Sequence, residues 1–243
     1  MSNPTAAMLV IGDEILSGRT RDANMYHLAG ELAPRGIDLC EVRIVSDVQA
    51  RIVAALNDLR DSYDHVFTSG GIGPTHDDIT ADAVAAAFGV GVDIREDARA
   101  ILAAHYQRTG LELNAARLRM ARIPDGATLI DNPVSSAPGF SLGNVHVMAG
   151  VPAVFQAMVA SVLPGLMSGA ALYSQSLTIP RGEGEIASDL SALAGDYPDL
   201  SIGCYPFQRG GAFGATVVVR GADKGQVDAA LVKLADLFPE AMA

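Results

Sequence analysis

The sequence predicts an α/β protein: a first domain with a mostly parallel sheet covered by helices on both faces, then a small α+β domain. Strand-like apolar runs and helical patterns alternate three times between residues 6 and 88, as they do where parallel strands are joined by helices. After about Gly169 the pattern restarts as strand, helix, two strands and helix. The 243 residues, of which 49% are hydrophobic, suffice for one large ordered domain or for a medium and a small one.

The first three strand–helix pairs follow from hydrophobic spacing. Residues 6–11 are a continuous apolar run that ends at Gly12, which is typical of a buried parallel strand. Residues 24–35 and 48–59 carry apolar side chains at helical intervals. The predicted strands are residues 6–11, 39–45 and 65–67, and the predicted helices are residues 24–35, 48–59 and 81–88.

The remaining elements are shorter. In the first domain we predict helices at residues 95–108, 114–122 and 152–163, and short strand or loop elements at residues 128–130, 140–142 and 145–148. Pro152 opens the last helix, and Pro164-Gly165 stops it. In the small domain we predict strands at residues 173–179, 200–205 and 216–220, and helices at residues 185–194 and 224–238. The predicted domains are residues 1–168 and 169–243.

Charge and composition exclude several classes of protein. A formal charge of −11 argues against a nucleic-acid binder and against binding to an anionic membrane. No stretch approaches the roughly 20 apolar residues of a spanning helix, and the N-terminus has neither a basic start nor a long signal core. Cys40 and Cys204 lack metal-type spacing and indicate small buried thiols. We therefore expect a cytoplasmic protein without nucleic-acid or membrane partners.

The most informative segment is residues 68–80, Thr-Ser-Gly-Gly-Ile-Gly-Pro-Thr-His-Asp-Asp-Ile-Thr. Its glycines lie between a predicted strand and a predicted helix, where backbone N–H groups can approach an anion closely. Asp77 and Asp78 stand where such a loop would hold a phosphate, and carboxylates repel a phosphate unless a cation lies between them. The segment therefore indicates a metal-assisted phosphate site. The alternative is a glycine-rich turn capped by Asp78 or Thr80.

Further polar positions follow the other strand ends. Asp13 and Glu14 come after the first strand, and one interpretation makes either of them a metal ligand or a pocket acid. The alternative is that Asp13 is a loop residue and Asn24 a helix cap. The position of Asp47 after the second strand favours a helix N-cap, although neighbouring strands would also bring it to the crevice. Ligands of open parallel sheets bind at the carboxyl ends of strands, so these residues and the glycine segment could share one crevice.

Three other features are less specific. Arg119 and Arg122 share one face of the predicted helix, and a solvated face is favoured over charge balance for a ligand. His76 is interpreted as an exposed loop histidine. Residues 137–140 form a tight turn that can shape a pocket with backbone groups. The sequence has no Ser-His-Asp or Cys-His signature, so acyl chemistry has no support.

In their order and spacing these motifs resemble one family, the amino-terminal region of competence/damage-inducible protein A (CinA-like) in the MoaB/Mog, or molybdopterin-binding, superfamily. The motifs are residues 12–18, Asn24, Asp47, residues 68–80, Asn132-Pro133, residues 137–140 and Gly150-Val151-Pro152. The resemblance covers most of residues 6–165, and the glycine run with its two aspartates is its most specific part. Residues 201–206 resemble the small KH-like domain that follows in the same family.

The resemblance implies a three-layer α/β/α MoaB/Mog-like domain that binds a nucleotide or pterin, a KH-like domain, and a homo-oligomer. It implies hydrolysis of ADP-ribose or FAD to release AMP, dependent on a divalent metal such as Mg²⁺, Mn²⁺ or Co²⁺. The implied catalytic residues are Asp78, Asp77 and Asp47, and the implied metal ligands are Asp77, Asp78, Asp13 and Glu14. The implied substrate-binding residues are Gly12, Asn24, Ser69, Gly70, Gly71, Gly73, Thr75, Arg119, Pro138 and Gly139.

Two other functions stay open at this point: a nucleotide- or pterin-binding module without turnover, and a molybdopterin adenylyltransferase. The adenylyltransferase branch usually carries Arg at the place of Asp77, which favours the pyrophosphatase branch. Ser135-Ser136 stand where the family usually has Gly-Thr, and this departure favours a binding module. Full-length relatives often carry a nicotinamide-nucleotide deamidase domain; because the chain ends at Ala243, we do not expect that activity here.

Overall fold

In the computed structural model, which describes residues 3–209 and 211–241, strands and helices alternate along most of the chain. The residues divide into two units, Met1–Gly169 and Ala170–Ala243. The strands of the first unit are β1 (Thr5–Ile11), β2 (Asp38–Val45), β3 (His65–Ser69), β4 (Val92–Ile94), β5 (Arg122–Pro124), β6 (Thr128–Ile130), β7 (Gly139–Leu142) and β8 (Val145–Met148). Its helices are α1 (Asp13–Leu16), α2 (Asn24–Leu32), α3 (Gln49–Ser62), α4 (Thr80–Phe88), α5 (Glu96–Thr109), α6 (Ala115–Leu118) and α7 (Pro152–Val162).

Six of these strands form one sheet in the order β2-β1-β3-β8-β7-β6. β1 pairs in parallel with β2 and β3, and β3 pairs in parallel with β8. β7 and β6 continue the sheet in antiparallel orientation. The carboxyl ends of the four parallel strands therefore meet at one edge of the sheet, where ligands bind in folds of this kind. The predicted α/β class with a mixed, mostly parallel sheet is confirmed.

Helices cover both faces of this sheet. Alternate side chains of β1 enter two separate cores, because successive residues of a strand point to opposite faces. Those in the core with α3, α4 and α5 are Ala7, Leu9 and Ile11, and those in the core with α2 and α7 are Ala6, Met8 and Val10. A strand that is buried on both faces has no polar side, which explains the continuous apolar run in the sequence. The first unit is thus a three-layer α/β/α structure.

The second unit consists of β9 (Tyr173–Ile179), α8 (Glu183–Asp196), β10 (Ser201–Arg209), β11 (Ala212–Gly221) and α9 (Lys224–Leu237). Its strands form an antiparallel sheet in the order β10-β11-β9. Ile186, Val217 and Leu234 join α8, β11 and α9 in one core. The predicted order of strands and helices is confirmed, and the KH-like likeness stays a prediction. Among the described residues of both units, no helix has the length and hydropathy to cross a bilayer.

Several local predictions were wrong. Residues 114–122 form only the short α6 and a 3-10 turn, because Arg122 begins β5, which pairs with the unpredicted β4. Residues 13–16 form α1, whereas one of the two alternatives for Asp13 was a loop residue. Both cysteines are free thiols as expected, but Cys40 is exposed. It lies in the edge strand β2 at a register shift, where the pairing of β1 passes from Leu39 to Glu41.

His146 in β8 is a buried titratable group, 6% exposed. Its Nδ1 shares a 2.9 Å hydrogen bond with the hydroxyl of Ser141, and its Nε2 has no partner among the described residues. Burial, with a smaller contribution from the nearby His65, lowers the pKa of His146 from 6.5 to about 4. Between these two values the unfolded chain binds more protons than the folded one. With respect to His146, the free energy of unfolding is therefore highest above about pH 6.5 and falls as the pH drops towards about 4.

We expect His146→Gln to remove roughly 3 kcal/mol of this acid-induced loss, since each pKa unit corresponds to about 1.4 kcal/mol. Urea unfolding of wild type and variant, at several pH values across the window, measures the difference in slope. His76→Gln is the matched control, because the His76 side chain is 99% exposed and its replacement should leave the slope unchanged. Parallel stability curves for wild type and His146→Gln would contradict the expectation.

Candidate functional site

The carboxyl ends of β1, β3 and β8 open into a cleft of about 560 Å³, which is large enough for a nucleotide. The predicted site residues that line it are Glu14, Gly70, Gly71, Gly73 and Asp78. Two smaller spaces adjoin the cleft: one of about 50 Å³ is lined by Asn24 and Ser69, and one of about 20 Å³ by Arg119 and Pro138. The predicted site residues that line none of these spaces are Gly12, Asp13, Asp47, Thr75, Asp77 and Gly139.

The glycine loop, residues 70–73, leaves β3 in a conformation that glycine adopts readily and other residues do not. The φ angle is 109° at Gly70 and 69° at Gly71. A Cβ at Gly70 would lie 2.2 Å from the carbonyl oxygen of Ile11, and one at Gly71 would lie 2.1 Å from Thr80 Oγ1. Thr80 fixes the loop, because its hydroxyl donates to the Gly70 carbonyl at 3.0 Å and its N–H to the Gly71 carbonyl at 2.9 Å.

Three consecutive backbone N–H groups of this loop make no hydrogen bond within the described part of the chain. They belong to Gly71, Ile72 and Gly73. All three residues line the cleft. Backbone N–H groups away from bulk water are normally paired, so a row of free donors indicates a place for an acceptor. The N-terminus of α4 follows the loop and adds partial positive charge.

The Asp78 carboxylate fixes Thr75 in the stretch that follows the glycine loop. Its Oδ2 accepts hydrogen bonds from the N–H of Thr75 at 2.8 Å and from the Thr75 hydroxyl at 2.6 Å. The same hydroxyl lies 2.5 Å from Asp77 Oδ1 and lowers the pKa of Asp77. A Cβ at Gly73 would come within 2.6 Å of Asp78 Oδ2. The alternative that Asp78 or Thr80 caps α4 is wrong, because the helix begins without a side-chain cap.

Asp47 joins the end of β2 to the turn after β1. The predicted N-cap role is wrong, because α3 begins at Gln49 without a side-chain cap. Instead Asp47 Oδ2 accepts a hydrogen bond from the N–H of Asp13 at 2.9 Å. Burial raises the pKa of Asp47, and the charges of Asp13, Glu14 and Asp77 raise it further, whereas the hydrogen bond from Asp13 opposes the rise. Three neighbouring carboxylates thus disfavour the ionised form of Asp47, and a cation near them would favour it.

Asn24 ties three segments of this edge together. Asn24 is only 3% exposed. Its Nδ2 donates to Ser69 Oγ at 2.7 Å and to the Gly150 carbonyl at 2.8 Å. One amide therefore holds the start of α2, the end of β3 and the turn after β8. The alternative of a helix cap is wrong: the N–H of Met25 bonds to Asp22, and the Asn24 side chain turns inward.

We expect Asn24→Ala to cost roughly 2–3 kcal/mol of folding stability, because it leaves the Ser69 hydroxyl and the Gly150 carbonyl without their buried partner. Urea unfolding measures this cost. Asn57→Ala is the control: it removes only a hydrogen bond to Arg60 on α3 and should cost less than about 1 kcal/mol. Equal losses in the two variants would argue against the role of Asn24 as a clamp.

Arg119 reaches the glycine segment from the 3-10 turn after α6. Its Nη2 donates to the Asp78 carbonyl at 3.2 Å, and its buried Nε has no partner among the described residues. Arg122, by contrast, makes a bidentate pair with Asp82 at 2.5 and 2.6 Å. The interpretation of both arginines as a solvated face is therefore wrong. Arg119, which makes no ion pair with any described residue, brings positive charge to the small space beside the cleft, and Arg122 is structural. The prediction that His76 is exposed is confirmed.

Sequence reasoning missed Asn132 as a site residue. Its Nδ2 donates to Ser135 Oγ at 2.6 Å and to the Ala137 carbonyl at 2.8 Å, and its Oδ1 accepts from two N–H groups of the same turn. All three residues line the cleft, so this turn forms one of its walls. The available signal was the Asn132-Pro133 pair, which is among the family motifs but was given no role. Gly139, predicted to bind substrate, is buried in β7, where a Cβ would lie 2.4 Å from the Val147 carbonyl.

Metal-ligating side chains do not form a closed set. Across residues 3–209 and 211–241, no group of three or more His, Cys, Asp or Glu side chains is arranged to hold a metal ion. Glu14 and Asp78 both line the cleft. The Glu14 carboxylate and Asp78 Oδ1 have no hydrogen-bond partner in the described part of the chain. These two carboxylates can therefore contribute to a cation that takes its other ligands from a bound phosphate and water.

Family models match both units of the chain. Residues 7–168 match the probable molybdopterin binding domain, a range that covers the sheet except for the first two residues of β1 and includes the cleft. The chain belongs to this family. Residues 171–243 match the middle domain of FAD synthase.

Relatives and solved structures place this molybdopterin-binding domain protein in the CinA-like group. The crystal structure of the protein CinA of unknown function from Thermoplasma acidophilum has a TM-score of 0.62 and 32% identity, over 68% of this chain and 99% of that chain. A CinA-like protein from Geobacter metallireducens is 34% identical over 81% of this chain, which spans only 50% of that relative. A protein from Pyrobaculum calidifontis is 30% identical over 97% of this chain and 96% of its own length. The predicted membership, a CinA-like protein of the MoaB/Mog superfamily, is confirmed.

Proposed function

We propose that this CinA-like chain hydrolyses a nucleotide pyrophosphate of the ADP-ribose or FAD type, with a divalent cation, and releases AMP. The observation that carries the proposal is the row of free N–H groups at Gly71, Ile72 and Gly73 in a cleft of about 560 Å³. Three donors beside a helix N-terminus suit a pyrophosphate, whose oxygens accept hydrogen bonds and carry negative charge.

The donor set fits a divalent cation that is shared with the substrate. Mg²⁺ keeps several waters and is commonly bound by one or two carboxylates plus phosphate oxygens, so a three-residue cage is not required. Asp78 and Glu14 line the cleft and would hold the ion; Asp77 and Asp13, the other proposed ligands, adjoin them in sequence. Bound there, the cation supplies charge neutralisation and polarises the phosphorus–oxygen bonds of the pyrophosphate.

The chain's own residues bind and orient the substrate. The glycine loop donates to the pyrophosphate, and Arg119, which makes no ion pair in the described residues, balances its remaining charge. Thr75 fixes the Asp77 and Asp78 carboxylates, and Asp47 fixes the Asp13 turn. In hydrolysis the oxygen of water bonds to one phosphorus, the bridging oxygen leaves with the other phosphate, and the proton of water passes to solvent.

The nucleoside part of the substrate has room beside the loop. Val151, Pro152 and Val154 provide an apolar wall of the cleft, and the Asn132 turn provides polar groups opposite the ligand. Sites for small molecules commonly combine such an apolar wall with a few placed polar groups. Pro138 borders the small space beside Arg119 and so lies next to the proposed pyrophosphate position. The tight turn predicted at residues 137–140 is wrong, because Gly139 begins β7.

The proposal is tested by the release of AMP from ADP-ribose and from FAD, with Mg²⁺, Mn²⁺ or Co²⁺ and with a chelator. AMP that forms only when the metal is present supports the proposal. Absence of AMP with every metal, at protein concentrations at which both compounds bind, would overturn the hydrolase and favour the second candidate. That candidate is a molybdopterin- or nucleotide-binding module without turnover, which the description of the matched family favours.

A further inference from the structure

A side pocket of about 50 Å³ opens beside the cleft. It shares Glu14, Thr20, Gly150 and Pro152 with the cleft, so a ligand in the cleft can extend a group into it. Its inner wall is formed by Asn24 and Ser69. The volume exceeds the roughly 30 Å³ that one water occupies in the liquid, so the pocket can take a small polar group.

The inner wall presents an unsatisfied acceptor. The Gly150 carbonyl can only accept, so the Asn24 amide must direct its nitrogen towards it, and this fixes the orientation of the amide. Both N–H groups of that nitrogen are then used, one by Gly150 and one by Ser69. Asn24 Oδ1 is buried without any partner among the described residues. A buried amide oxygen without a partner is destabilising, which indicates that a partner is supplied from outside the chain.

The same wall presents an unused donor. Ser69 is 3% exposed, and its oxygen accepts the hydrogen bond from Asn24. No acceptor for the Ser69 hydroxyl proton lies among the described residues. An acceptor and a donor therefore stand next to each other, because the Asn24 nitrogen and the Ser69 oxygen are only 2.7 Å apart. A complementary group must donate and accept at the same time.

We infer that the side pocket binds a ribose hydroxyl of the nucleotide, which donates to Asn24 Oδ1 and accepts from the Ser69 hydroxyl. A hydroxyl is small enough for the pocket and has both a proton and lone pairs. A phosphate or carboxylate is disfavoured, because the pocket is lined by two carboxylates, Glu14 and Asp22, against one cation, Arg21. The inference rests on the proposed nucleotide site and adds a preference for ribonucleotides over their deoxy forms.

The test is calorimetric binding of AMP, 2′-deoxy-AMP and 3′-deoxy-AMP to the full chain in the presence of Mg²⁺. One of the two deoxy nucleotides should bind about tenfold more weakly than AMP, since it leaves the buried pair without its partner. Equal affinities for all three would overturn the inference and leave the proposed hydrolase untouched. No binding of any of them would overturn the inference, and the release of AMP in the hydrolysis assay decides separately on the hydrolase. Weaker binding of one deoxy nucleotide than of AMP, without AMP release in the hydrolysis assay, would support the pocket and reject only the hydrolase.

Variants separate recognition from folding. Ser69→Ala removes the donor and should bring the affinities for AMP and its deoxy forms to within about twofold of each other. Ser161→Ala is the matched control: it removes a hydroxyl that bonds within α7 and lies outside the side pocket, so the preference should persist. Thermal unfolding of each variant shows whether it is folded. A folded Ser69→Ala protein that keeps the wild-type preference would contradict the inference.

Discussion

Asp78→Asn is expected to lower AMP release by a factor on the order of a hundred or more while the protein stays folded. The amide keeps the shape of the carboxylate. Its oxygen can still accept the hydrogen bond from the Thr75 N–H, which is 2.8 Å long in the wild-type protein. The negative charge that would attract a cation into the cleft is lost. The rate of AMP formation from ADP-ribose, at saturating metal and substrate, measures the effect.

Asp61→Asn is the matched control for this variant, because Asp61 lies exposed on α3 and its charge is far from the proposed chemistry. It should leave the rate of AMP release unchanged. Unfolding curves for both variants separate a loss of activity from a loss of structure. An Asp78→Asn protein that releases AMP within about threefold of the wild-type rate would show that the carboxylate has no part in the reaction.

Gly71→Ala should have the second largest effect, removing nucleotide binding and costing about 3 kcal/mol of stability. The φ angle of 69° is unfavourable for alanine, and the new Cβ would lie 2.1 Å from Thr80 Oγ1. The loop can relieve this clash only by breaking its bonds to Thr80, which would move the free N–H groups. Urea unfolding and calorimetric titration with ADP-ribose measure the two effects.

Gly89→Ala provides a close comparison from the other end of α4. Gly89 has a φ angle of 67°, and nothing lies within 4 Å of the position of its Cβ. Its replacement should cost about 1 kcal/mol through backbone strain alone and should leave binding unchanged. If the two variants lost the same stability and bound nucleotide equally well, the glycine loop would not be shaped for a ligand.

The fold could be predicted because its signals are local. The two-sided burial of β1 appears in the sequence as an unbroken apolar run, and the helix spacing of α2 and α3 is visible within each segment. The end of α6 was missed because it depends on a distant pairing. Arg122 could have continued a helix, but its segment pairs with β4, which lies about 30 residues earlier in the chain.

The roles of Asp47 and Asn24 show where local reasoning reaches its limit. Both lie near a helix start, where Asp and Asn commonly serve as caps. The sequence therefore favoured an N-cap role for Asp47 and left that role as one of two alternatives for Asn24. Their partners lie far along the chain: Asp47 bonds to Asp13, and Asn24 bonds to Ser69 and Gly150, 45 and 126 residues away. Only the parallel order of β1, β2, β3 and β8 brings these residues together.

The central claim, that the free N–H groups of Gly71, Ile72 and Gly73 hold a pyrophosphate, is tested most directly by nuclear magnetic resonance. The backbone amide signals of the ¹⁵N-labelled protein are followed during titration with ADP-ribose and Mg²⁺. These three signals should shift strongly and saturate together, while Gly89 and Gly110, at the ends of α4 and α5, stay in place. Saturable shifts confined to other segments, with these three amides unmoved, would contradict the claim.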